Sequence, residues 1–297
     1  MRILSPRRGV AAAIAALGVT AAGCQGEPRP PAARHDAAAA VAAPADAAAP
    51  ADAIATRRDA VPAAIDRAAT WLAAFPPAQL RYDAAIMIAA IRRRYDDDAL
   101  RAADAAARAV ADRDDDNPLR RLFDAGYRAA ASSARGWEVP AAGAPRVNPN
   151  RVLAEAAHCA EHGLRPATLA YVTGPMRDDG GYQTTHAAWA LLIAHDHGCL
   201  DDAALAAALT PLLDELRAAQ PAAPGPAALD VDLFGERLLM LALAGVRDAA
   251  VDGWAASLLR AQRGDGSFGA LAVDEDPYRR YHATAIACWA LAAWRGG

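Results

Sequence analysis

From about Arg57 to the end, apolar residues recur at helical rather than alternating spacing. Ile65, Ala68, Ala69, Leu72 and Phe75 lie on one stripe of a helix over 64–75, which Pro76-Pro77 stops. A helix over 82–95 carries Ile86, Ile88 and Ile91, and Asp96-Asp97-Asp98 is placed to cap the next, which runs to about Ala111. Asp114-Asp115-Asp116-Asn117-Pro118 is another cap-and-proline start, and 136–149 reads as a long loop. One helix is expected over 150–162 with Gly163 ending it, and a strongly apolar one over 185–196 before Gly198. Others follow over 202–219, 229–243, 247–262 and 281–294. No segment alternates convincingly as a strand, so the reading is all-α: about ten helices paired by short turns.

Ala makes up about 29% of the 297 residues, which reinforces helix because Ala loses no side-chain entropy there. Only 6% of residues are aromatic, and every basic residue is Arg. The net charge of −4 argues against a partner held by phosphate neutralisation, so no nucleic acid is expected. The first 23 residues form a basic start, a short apolar run over 9–22 and small residues before Cys24, the pattern of a secretory signal. Ala21-Ala22-Gly23-Cys24 resembles a bacterial lipobox, with Ala where Leu is usual. That resemblance implies a lipidated Cys24 at the mature N-terminus. Losing Arg2, Arg7 and Arg8 would leave a mature charge of about −7. Residues 24–56, rich in Ala, Pro and Asp, read as a disordered, partly extended tether to a helical domain over 57–297. Gln25 resembles the outer-membrane sorting preference, so the expected location is the cell envelope and the expected partner a membrane, reached through the lipid.

Two segments share a grammar. Asp179-Gly-Gly-Tyr182 leads to His186 and Trp189-Ala-Leu, and Asp265-Gly-Ser-Phe268 leads to His282 and Trp289-Ala-Leu. Each reads as a tight turn, an aromatic ring folded over a helix pair, and a His opening an apolar helix. The second segment, with Leu258-Leu259-Arg-Ala-Gln262 before it, resembles the QW motif of the terpenoid cyclase and protein prenyltransferase superfamily. This implies an α/α toroid of helical hairpins around a funnel, and says little about chemistry. The cyclase Asp-x-Asp-Asp cluster has its letters only at Asp112-Arg-Asp114-Asp115, in a solvated turn. The prenyltransferase Asp-x-Cys zinc site has no match, although His282, after an acidic Tyr-containing loop, is similar to their zinc His.

Equivalent places in two repeats make His186 and His282 the candidate acid or base groups, at one mouth of a funnel. Tyr182 and Tyr281 are the candidate phenols beside them, with Tyr278, Arg279 and Arg280 as further polar groups. A capping role for each His is the alternative. His158-Cys-Ala-Glu161-His162 has the spacing of inverted zinc peptidases, with Glu236 as a third ligand, and His195, His197 and Cys199 form a second such group. Both fit ordinary helix-end residues better, so no metal or other cofactor is expected. Of the remaining cysteines, Cys159 and Cys199 are expected to pair as a disulfide in an oxidising envelope, with Cys288 a small buried hydrophobe. The expected function is an envelope lipoprotein that binds or scaffolds. The alternative is a toroid-type enzyme, a polysaccharide lyase or hydrolase or an isoprenoid-chain enzyme, working through His186 and His282.

Overall fold

The computed structural model describes residues 51–140, 147–220, 230–269 and 276–296. The expected signal peptide, Cys24 and most of the expected tether lie outside the described residues. The domain is all-α: among the described residues the only β pairing is a single bridge between Gln262 and Phe268. No described helix is long and apolar enough to cross a membrane.

Helix α1 (Ala51–Ala73) begins inside the expected tether. It is followed by α2 (Asp83–Arg92) and α3 (Asp98–Ala111). Asp97 caps α3 by accepting from the Leu100 amide, the role expected of that acidic run. After a short 3₁₀ turn at Pro118–Leu122 come α4 (Ala131–Arg135), α5 (Pro149–Ala157) and α6 (Cys159–His162). Two short helices missing from the sequence reading follow, α7 (Pro166–Thr173) and α8 (Pro175–Asp178). The long helices are α9 (Tyr182–Asp196), α10 (Asp202–Ala218), α11 (Val231–Leu243), α12 (Ala249–Arg260) and α13 (Pro277–Arg295).

The expected helix over 150–162 is two pieces. His158 leaves helical geometry at φ −108°, ψ 11°, and its Nε2 meets the carbonyl of Pro118 at 2.9 Å. A tertiary partner therefore overrides local helix preference. Beside this break Cys159 and Cys199 are joined by a disulfide, with Cα atoms 6.2 Å apart, while Cys288 is free and buried.

Ala-rich helices can approach closely, and the α11–α13 contact shows why this matters. A Cβ on Gly235 would stand 3.0 Å from Ile286 Cγ2 and 3.6 Å from the Ala287 amide nitrogen. The missing side chain lets α11 lie against α13. The first helix also meets the end of the chain: the Gln262 side-chain amide donates to the Ala64 carbonyl at 2.7 Å, and α1 packs along α13.

The two Asp-Gly turns are related but not equivalent. Gly180, Gly181 and Gly266 all have positive φ, as the tight turns require. Phe268, however, is fully buried, with its amide donating to Thr284 Oγ1 at 3.0 Å, whereas Tyr182 is 38% exposed. Likewise Trp289 is buried but Trp189 only partly so. The expectation of matched buried rings is corrected. The second turn is pressed against α1, while Tyr182 turns its hydroxyl to a carboxylate.

Candidate functional site

His186 stands on the second turn of α9 and His282 on the second turn of α13. Both line one cavity of about 80 Å³. Its polar lining includes Asp83, Thr185, His186, Glu236 and His282; Trp189, Trp289, Ile86, Leu153 and Leu239 give it an apolar wall. The two indoles meet edge to face, with ring centroids 5.4 Å apart.

The polar groups interlock across four helices. His282 Nδ1 lies 2.7 Å from Asp232 Oδ1, and its Nε2 lies 3.8 Å from Asp83 Oδ2. Asp232 also accepts from the Tyr182 hydroxyl at 2.9 Å, and Asp83 accepts from the Tyr278 hydroxyl. One turn after Asp232, Glu236 is 5% exposed, accepts from the Thr185 hydroxyl and lies 3.7 Å from His186 Nδ1. His186 Nδ1 is 2.8 Å from the Tyr182 carbonyl, which only accepts, so Nδ1 carries a proton and donates it there.

Burial works against charge on His282, but the hydrogen bond and charge of Asp232, then Glu236 and Asp83, outweigh it and raise its pKa to about 9. Burial pushes the Glu236 carboxyl above its ordinary range, with Asp232 adding to this while His186, His282 and Thr185 oppose it. The Tyr182 phenol is raised by burial and then by Asp232. The result is a cationic His282 beside a buried carboxyl group, with the His186 ring on its other side.

Tyr281 is not part of this cluster. Neighbouring positions on a helix point about 100° apart, so when His282 faces the cavity Tyr281 faces α1. There it is fully buried, 4.8 Å from the Phe75 ring centroid and stacked on Tyr278. Arg280 is drawn away towards Asp265, 3.8 Å distant.

The two alternative metal groups also dissolve. His162 Nε2 is 2.9 Å from the Ala129 carbonyl, just as His158 is tied to Pro118; Glu161 pairs with Arg121 and Arg128; and Glu236 belongs to the cavity. His195 pairs with Asp202 at 2.8 Å and Cys199 is in the disulfide. Asp112 pairs with Arg120 at 2.9 Å in an exposed turn, as expected of a solvated acidic run.

What the sequence reading missed is Asp83 and Asp232, and it placed Glu236 only as a third ligand to the His158 group. The available signal was Asp232 and Glu236 one turn apart in a helix that is apolar but for them and Arg237. Among the described residues, Asp232, Glu236 and His282 are the group whose donor atoms stand close enough to hold a metal ion. Comparison of the chain with protein-family models, curated proteins and solved structures finds no match.

Proposed function

We propose that this is a binding module held at a cell envelope, and that it takes a small amphipathic molecule in the cavity between α2, α9, α11 and α13. The observation that carries this is the lining itself. An apolar wall with paired indoles adjoins a compact group of carboxyl and imidazole side chains, which is how small-ligand sites combine affinity with orientation. The apolar body of the ligand lies against Trp189, Trp289 and Leu239, and its polar group meets His186, Glu236 and His282. The helical array is read as a toroid of hairpins, supported by the packing of α1 against α13. Cys24 carries the lipid that reaches the membrane, most simply the outer one.

The probes are linear alkyl amines, alcohols and carboxylates of increasing chain length, followed by tryptophan fluorescence. Affinity should rise with chain length until the cavity is full, and Leu239→Phe should abolish it. Binding that ignores chain length, or survives Leu239→Phe, contradicts the proposal. For the anchor, Cys24→Ser should leave an unprocessed or released protein; full processing with unchanged membrane attachment contradicts it.

A second reading, catalysis, is favoured by one observation: two imidazoles and a buried carboxyl group face one cavity. His282 keeps its proton near neutral pH and is placed as an acid, with the His186 ring beside Glu236 as its partner. Lyase or hydrolase action on a polysaccharide would use that pair, and both His186→Gln and His282→Gln should remove such activity. Turnover undiminished in both variants would exclude it.

A further inference from the structure

Asp232, Glu236 and His282 each present a donor atom, and the three atoms lie within 4.8 Å of one another. Two carboxylate oxygens and an imidazole nitrogen form a mixed set, unlike a surface cluster of acids. Two features of the fold assemble it. The four-residue interval puts Asp232 and Glu236 on one face of α11, and Gly235 between them allows α13 to come close enough to bring in His282. Glu236 is almost wholly buried, with the Thr185 hydroxyl as its hydrogen-bond donor. A buried carboxylate is expensive unless paired or bound to a cation.

We infer that Asp232, Glu236 and His282 form a binding site for a single divalent transition cation of the zinc type. Ligand atoms about 2.0–2.2 Å from one ion stand roughly 3–4 Å from each other, so the observed spacing needs only small side-chain adjustments. Imidazole among the donors favours zinc, iron, nickel or copper over magnesium and calcium, which prefer oxygen alone, while the two carboxylates still admit manganese as a probe. His282 Nδ1 now shares a proton with Asp232 Oδ1, at 2.7 Å. The cation takes that proton's place, and the proton leaves to solvent. Three protein ligands leave at least one coordination position, open towards the cavity that His282 and Glu236 line. His186 stays outside the set, its Nδ1 proton held by the Tyr182 carbonyl. The site shares Glu236 and His282 with the proposed amphipathic-ligand cavity but does not rest on that reading, because all three metal ligands belong to the chain.

The full-length protein, stripped with a chelator, is titrated with Zn²⁺ in a calorimeter. One equivalent should bind, with calcium and magnesium far weaker. Asp232→Asn, Glu236→Gln and His282→Gln should each weaken zinc binding by at least about tenfold, while His195→Gln, at an exposed pair with Asp202, leaves it unchanged. Should a variant fail to fold, Mn²⁺ on the unaltered protein gives the answer: paramagnetic broadening must centre on residues 232, 236 and 282. Absence of stoichiometric zinc binding, retention of it in Glu236→Gln and His282→Gln, or broadening centred elsewhere overturns the inference. Each of these results is independent of whether alkyl probes bind.

Discussion

Gly180 and Gly266 occupy matching turns, with φ of +71° and +91°, yet replacing each with Ala should have very different consequences. At Gly180 an added Cβ meets nothing within 4 Å, so the change costs only the strain of a left-handed non-glycine residue, about 1–2 kcal/mol. At Gly266 the same Cβ would lie 2.4 Å from the Arg67 carbonyl oxygen and 2.8 Å from its carbon. Both atoms are backbone of α1, so the turn must move off the helix. That movement breaks the hydrogen bonds from the Gln262 side chain to the carbonyls of Ala64 and Gly266, at 2.7 and 3.0 Å. Two such bonds at about 1 kcal/mol each, added to the strain, give about 3–4 kcal/mol. Urea unfolding of both variants measures the difference, which should be about 2 kcal/mol and appear in the midpoint rather than the slope. Equal losses, or a larger loss at Gly180, would refute the claim that the last turn locks onto the first helix.

Phe268→Ala should cost about 3–5 kcal/mol because the ring is fully buried, and Tyr182→Ala much less; thermal melts that rank them the other way reject the asymmetry of the turns. Reducing the Cys159–Cys199 bond, which closes a 40-residue separation, should remove about 4 kcal/mol of stability, with Cys288 unreactive until the protein unfolds. Early labelling of Cys288 would count against its burial. His158 is held neutral: burial lowers its pKa against the opposing pull of Pro118 and Glu161, with His162 and Arg128 adding to the lowering. The unfolded chain therefore takes up the proton first, so its share of stability is present above about pH 6.5 and is lost as pH falls below it. His158→Gln should flatten the stability profile in that range, and an unchanged slope would assign the acid sensitivity elsewhere.

Helix starts and stops were legible because their chemistry is local. Asp97, Asp201 and Asp248 accept from amides three residues on, and Pro76 ends the first stripe. The repeat was legible enough to pair His186 with His282, and they do line one cavity. Asp83 was not, and Asp232 and Glu236 were marked only by their one-turn spacing; what joins the three into a site comes from contacts 50 or more positions away. Tyr281 was misplaced for a related reason. A helix position beside a site residue shares its sequence neighbourhood but not its face. The break at His158 likewise depends on Pro118, 40 residues earlier.

The most direct test of the central claim uses three methionines as reporters. Met87 and Met240 line the cavity, whereas Met176 is fully buried without lining it. Methyl NMR spectra recorded while a short-chain alkyl amine is added should show the Met87 and Met240 signals, with the indole signals of Trp189 and Trp289, moving together and saturating. Met176 should stay still. Shifts at Met176 alone, or no shift at Met87 and Met240 at saturating probe, would contradict the assignment of this cavity as the binding site.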